Sequence, residues 1–203
     1  MGKIYCLMGK SSSGKDTVFK ALAEDKDLNL KPVVSYTTRP IRHNEHHGVE
    51  YYFIDEEQLR KYNEADSIIE KRQYETINGR WSYCTVDDGQ IDITRSTSYL
   101  LIVTLEAYKS LRKYFGSDYV VPLYITVDDG IRLERALKRE QAQQTPNYDE
   151  LCRRFLADSH DFEMTKLQDC GITKQYQNEN FSECIYNIKT DIVAAAAEQQ
   201  HRC

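Results

Sequence analysis

The sequence predicts an α/β fold in which a parallel central sheet is covered by helices on both faces. Three observations carry that prediction. Lys3-Ile4-Tyr5-Cys6-Leu7-Met8 is a short, mostly apolar run, as a buried parallel strand requires. A turn rich in glycine and serine follows at once, and Val18, Phe19, Leu22 and Ala23 then recur at helical spacing. Further apolar runs, at residues 99–105 and 119–127, alternate with amphipathic stretches, the order that builds parallel sheets.

The turn reads Gly9-Lys10-Ser11-Ser12-Ser13-Gly14-Lys15-Asp16-Thr17. Two glycines with four residues between them, followed by a lysine, suit a loop that wraps polyphosphate. Such a loop turns backbone N–H groups inward, and glycine permits both the dihedrals and the close approach. Lys15 reaches the β- and γ-phosphates as a point charge, and the helix that follows aims its positive end at the same anion. The hydroxyl residue expected after the lysine is Asp16, with Thr17 next.

Composition narrows the class. The chain has 203 residues, which suits one domain with small insertions. Hydrophobic residues make up 40% and charged residues 29%, a soluble globular balance. No apolar stretch approaches the ~20 residues that span a bilayer, and the first residues lead straight into a strand rather than an export signal. No membrane partner and a cytoplasmic location are therefore expected. A net charge of −5 argues against a general nucleic-acid binder. The six cysteines include no CxxC pair and read as reduced thiols. His43, His46 and His47 lie in a polar stretch without cysteine and read as a solvated loop rather than a metal site.

Beyond the first helix, residues 31–36 read as a second strand. The next segment, residues 37–53, carries Arg39 and Arg42 three apart, a turn at Gly48 and an aromatic run at Tyr51-Tyr52-Phe53. Arginine forks suit a phosphate monoester; a surface ion-pair network fits the same residues. Residues 55–62 read as a short helix with an acidic first turn, and residues 67–75 as a strand. Asn78-Gly79 is a hairpin signal leading into residues 80–85. Residues 107–115 are amphipathic. Pro122 in the strand at residues 119–127 suggests a ladder that starts late or lies at an edge. Residues 130–138 form a basic helix, residues 140–146 a polar, glutamine-rich lid, and residues 149–167 a further helix. Residues 181–187 read as the last strand, and residues 190–200 as a closing alanine-rich helix.

The loop from Gly9 to Thr17, together with Ser35-Tyr36-Thr37-Thr38-Arg39-Pro40-Ile41-Arg42, Glu45, Gly48, Tyr51 and Phe53, resembles the guanylate kinase family over most of the chain. The resemblance implies a three-layer P-loop kinase fold with a nucleotide-monophosphate-binding insertion at about 37–88. The core would be residues 1–36 and 89–203, with a small lid at about 138–150. It implies transfer of the γ-phosphoryl of ATP·Mg²⁺ to a nucleoside monophosphate, most simply GMP. The rival readings are a related kinase with another nucleotide or a sugar phosphate as acceptor, and a non-catalytic binding module.

On that resemblance, Gly9, Ser11, Ser12, Ser13, Gly14, Lys15, Asp16, Thr17 and Asn187 would bind ATP. Ser35, Arg39, Arg42 and Tyr51 would hold the acceptor phosphate, and Glu70 would accept from the guanine N1–H and C2 amine. Lys15, Arg39, Arg139 and Arg154 would act in catalysis, with Arg135 and Arg153 as alternatives in the lid. The family's Tyr-Tyr-Gly-Ser/Thr run falls on Trp81-Ser82-Tyr83-Cys84, which would give Ser82 the second tyrosine's place and Cys84 the guanine O6 contact. Two family aspartates fall on Ile102 and Thr104. A carboxylate lost from that strand and gained in the loop makes Asp16 the candidate Mg²⁺ ligand, helix capping being the alternative. The partners implied are small nucleotides acting on a monomer or homodimer.

Overall fold

The computed structural model describes residues 2–43, 45–76 and 79–200. Asn78 and Cys203 lie outside them. The chain opens with β1 (Ile4–Gly9) and α1 (Lys15–Ala23), followed by β2 (Leu30–Pro32), β3 (Tyr36–Thr37), β4 (Tyr52–Phe53) and α2 (Glu56–Glu64). A long hairpin, β5 (Ile68–Thr76) and β6 (Gly79–Val86), leads to β7 (Ser98–Ile102) and α3 (Leu105–Phe115). The remainder is β8 (Val120–Thr126), α4 (Asp129–Gln141), α5 (Tyr148–Asp161), α6 (Met164–Asp169), β9 (Gln175–Gln177) and α7 (Phe181–Gln200).

Two sheets result. The central one is parallel, in the order β2-β7-β1-β8-β9. Alternation along β1 explains its continuous apolar sequence. Ile4, Cys6 and Met8 enter one core with Tyr108, Leu111 and Phe162. Tyr5 and Leu7 enter the opposite core with Val18, Leu22, Cys184 and Ile188. Both faces are thus covered, as a parallel sheet demands. The second sheet, β4-β3-β6-β5, lies within residues 36–86 and has a small core of Tyr36, Leu59, Cys84 and Val86 against α2. Asp55 caps α2 through a reciprocal capping box with Gln58.

Four expectations are corrected. Residues 31–36 are not one strand: β2 belongs to the central sheet and β3 to the second, so the chain changes sheets at residues 33–35. β8 is an interior strand, so of the two readings of Pro122 the edge is corrected and the late start holds: pairing with β9 begins only at Tyr124. The helix expected over residues 149–167 breaks between α5 and α6, where Phe162 turns inward and stacks on Tyr124 at 5.4 Å. Residues 181–187 are helical, not a strand. Asn180 accepts from Glu183 N (3.3 Å), and Cys184, Ile188 and Ile192, four apart, are all buried on one face of α7.

Candidate active site

The loop between β1 and α1 is built by close approach. A side chain on Gly9 would place Cβ 2.7 Å from the Ile125 carbonyl oxygen, and one on Gly14 would meet Asn178 Nδ2 at 2.5 Å. Gly14 is left-handed (φ 81°) and so is Ser12 (φ 63°), so consecutive N–H groups fold inward. Asn178 supports the turn from beneath: its Nδ2 donates to the Ser13 carbonyl at 2.8 Å, while its Oδ1 and the Ser13 hydroxyl are buried without partners. Gly14 is the N-cap of α1 and no side chain caps that end. The first N–H groups of the helix are therefore open to an anion. Asp16 and Thr17 are exposed in the first turn, and Lys15 carries no ion pair among the described residues.

Arginines from α4 and α5 gather on this loop. Arg139 donates to Ser12 Oγ (3.2 Å) and Arg154 to Ser11 Oγ (3.3 Å). Arg132, 1% exposed, donates from Nε to the Ser11 carbonyl (3.0 Å), pairs with Asp129 and Asp158, and lies 4.8 Å from the centre of the Phe155 ring. Asp158 completes the brace by accepting from Ser11 N at 2.7 Å. Arg135 donates to the Asn178 carbonyl (3.4 Å), whereas Arg153 is turned to Glu150.

The second sheet supplies the other wall. Arg39, 3% exposed, gives a two-pronged bond to Glu45 (2.8 Å each) and stands 5.5 Å from the centres of both the Tyr51 and Phe53 rings. The Arg39 guanidinium holds the Glu45 carboxyl below the usual carboxylate range. The Arg42 side chain is exposed, without a side-chain hydrogen bond or ion pair among the described residues, and its charge adds to the lowering of the Glu45 pKa. Glu70 is buried, accepting from Thr85 Oγ1 (2.9 Å) and from Arg72 Nε (2.9 Å) and Nη2 (3.2 Å). Arg72 also donates from Nη1 to Thr104 Oγ1 (3.2 Å), just past the end of β7, tying this wall to the central sheet. Burial pushes the Tyr51 hydroxyl pKa up and the Tyr83 hydroxyl adds to it, opposed by the cations of Arg72 and Arg39; Asp16 raises it further from the loop. Asp16 of the loop thus lies within electrostatic reach of Tyr51 on the second sheet.

A family model described as Guanylate kinase matches residues 1–169. The chain belongs to the guanylate kinase family. It is 26% identical over 199 residues to the guanylate kinase of Porphyromonas gingivalis, covering 98% of this chain and 100% of that protein. It is 41% identical over 80 residues to the guanylate kinase of Syntrophomonas wolfei, 38% of this chain and 40% of that one. The crystal structure of guanylate kinase from Anaplasma phagocytophilum has the same fold, with a TM-score of 0.66 at 21% identity over 95% of this chain and 85% of that one.

As a guanylate kinase family member, the chain departs from its sequence reading at three positions. Cys84 does not join Glu70: it is buried under α2 with Tyr36, and Ser82 accepts from Gln73 on that same face. The face that carries Glu70 carries Tyr83 and Thr85 instead, because the hairpin register sets Glu70 opposite Thr85 and Arg72 opposite Tyr83. Tyr83 lies 5.6 Å from Tyr51, ring centre to ring centre, and its hydroxyl interacts with Arg39. Tyr83 and Thr85, rather than Ser82 and Cys84, therefore share the face of Glu70. Asn187 is exposed on α7, and the buried asparagine that supports the loop is Asn178. Parity was available in the sequence: a two-residue hairpin loop sets odd-numbered residues of the second strand on the face of even-numbered ones in the first. Nothing contiguous in the sequence marked Arg132 or Arg72.

Proposed function

We propose that this chain transfers the γ-phosphoryl group of ATP to the phosphate of GMP, giving ADP and GDP. The observation that carries the reading is the buried Glu70 carboxylate, on a sheet that Arg72 ties to the central one through Thr104. Among the common bases only guanine presents two adjacent donors, N1–H and the C2 amine, next to an acceptor at O6. A buried carboxylate complements those two donors.

The transfer is an in-line displacement: an acceptor phosphate oxygen forms a bond to the γ-phosphorus as the bond to the β,γ-bridging oxygen breaks. Positioning and charge neutralisation carry such chemistry, and no covalent nucleophile is needed. Lys15 follows the γ-phosphoryl, and the backbone N–H groups of residues 14–17, at the uncapped start of α1, cradle the ATP phosphates. Arg139 and Arg154, hydrogen-bonded to loop hydroxyls, exchange those contacts for phosphate oxygens. Arg42 is the free cation for the acceptor phosphate. Arg39 adds charge and its remaining N–H groups, and Ser35, Tyr51 and Tyr83 line the same site. The exposed Asp16 carboxylate and the Thr17 hydroxyl are hard oxygen donors that fit Mg²⁺, and they would hold the ion with the phosphates and water. Bound there, Mg²⁺ neutralises charge on the β- and γ-phosphates. In this reading residues 37–88 form the acceptor-binding insertion and residues 138–150 the lid, and the partners are small cytoplasmic nucleotides. Coupled assays of ADP release with ATP and each of GMP, AMP, CMP and UMP test it. GMP is expected to lead, and turnover of AMP at an equal or better rate would overturn it.

A further inference from the structure

The carboxylate that the proposed function gives to the base is already largely occupied. Glu70 Oε2 accepts from Arg72 Nε at 2.9 Å, and Oε1 accepts from Arg72 Nη2 at 3.2 Å and Thr85 Oγ1 at 2.9 Å. A carboxylate offers about four lone-pair positions, so one is left open. Arg72 is not a surface arginine that turns aside easily. Its side chain is 10% exposed against 2% for Glu70, and its third arm, Nη1, is anchored on Thr104 Oγ1 at 3.2 Å. Tyr83 stands opposite it in the hairpin register, on the same face. Withdrawing the fork would strand a buried charge on each side, which is costly.

Guanine would present two donors to a carboxylate with one free position. Hypoxanthine presents only one, N1–H, and keeps O6. We propose that Arg72 sets the acceptor selectivity: by occupying Glu70 it makes the C2 amine dispensable, so 6-oxopurine monophosphates are accepted with or without that amine. This rests on the GMP reading above and makes GMP and inosine monophosphate near-equivalent acceptors. Adenosine monophosphate lacks both N1–H and the 6-oxo group and remains a poor one.

The test is the ratio of kcat/KM for GMP over inosine monophosphate, in the wild type and in Arg72→Ala. In the wild type the ratio should lie within about tenfold of unity, because the second donor finds no open acceptor. In Arg72→Ala it should rise by about ten- to a hundredfold, the worth of a hydrogen bond to a charged group. Arg72→Gln, which keeps a donor for Thr104 and breaks the fork, should move the ratio in the same direction and covers the case in which the alanine variant does not fold. Thermal melts confirm which variants are folded, and a purely structural arginine would lower turnover of both acceptors without changing their ratio. An unchanged ratio in a folded variant that still phosphorylates GMP overturns the proposal alone. Failure of the wild type to phosphorylate GMP or inosine monophosphate, while another acceptor reacts, overturns the GMP reading and this proposal with it.

Discussion

Two buried arginines, Arg132 in the loop wall and Arg39 in the acceptor wall, show how differently the two walls handle charge. Arg132 braces the phosphate loop from behind, holding the Ser11 carbonyl while Asp129 and Asp158 neutralise it. The cations in front of it, Lys15, Arg139 and Arg154, have no carboxylate partner among the described residues. On the acceptor wall the buried charges are paired internally, Arg39 with Glu45 and Glu70 with Arg72. The loop wall is thus an anion receptor with spare positive charge. The acceptor wall is a neutralised surface that selects by hydrogen-bond geometry and aromatic packing, with Arg42 as its free cation.

That contrast breaks most visibly at Lys15. Lys15→Ala should lower phosphoryl transfer by about a hundredfold or more, as loss of a group that meets developing charge does, and leave the thermal melt unchanged, since the side chain has no ion pair among the described residues. Full turnover by the variant would remove the loop wall's claim to be the anion receptor. Arg132→Ala tests the brace rather than the charge. It leaves Asp158, still bound to Ser11 N, facing the loop without its cation. We expect a loss of about 3 kcal/mol in a denaturant titration, typical of a broken buried pair. A loss below about 0.5 kcal/mol, ordinary for a surface change, would show that the loop stands unaided.

The smallest effect sharpens the acceptor wall. Arg39 depresses the Glu45 pKa below the ordinary value of 4.5, so the folded state binds this proton less readily than the unfolded chain. The stabilisation is complete above that ordinary value and is lost as pH falls through the folded pKa. Glu45→Gln should cost about 1–2 kcal/mol at neutral pH and flatten the decline in stability below about pH 4.5. A decline equally steep in the variant and the wild type would assign the acid sensitivity elsewhere.

How far the sequence could be read depends on how local each feature is. The phosphate loop is contiguous, and its glycines and lysine stand in order between a strand and a helix, so the primary structure carries it whole. The same holds for the segment with Arg39 and Arg42. In the hairpin, residue types were legible but the facing was not: taking Ser82 and Cys84 for the inner face moved each contact by one residue, and in a strand that reverses every side chain. Residues 181–187 held an apolar run compatible with strand or helix, and the i, i+4, i+8 spacing of Cys184, Ile188 and Ile192 decided for helix.

By itself the sequence determined an α/β chain with a polyphosphate loop and a segment carrying Arg39 and Arg42, because each is written in neighbouring residues; Glu70 was marked by the family resemblance, and its burial by the structure. Only the tertiary structure decided what those groups touch. It set Arg132 under Ser11 across 121 positions, Asn178 under Ser13 across 165, and Arg72 against Thr104 across 32. Local propensity cannot encode such contacts, since they form when separate elements pack, and the energy of a buried charge depends on partners that the chain brings from far away.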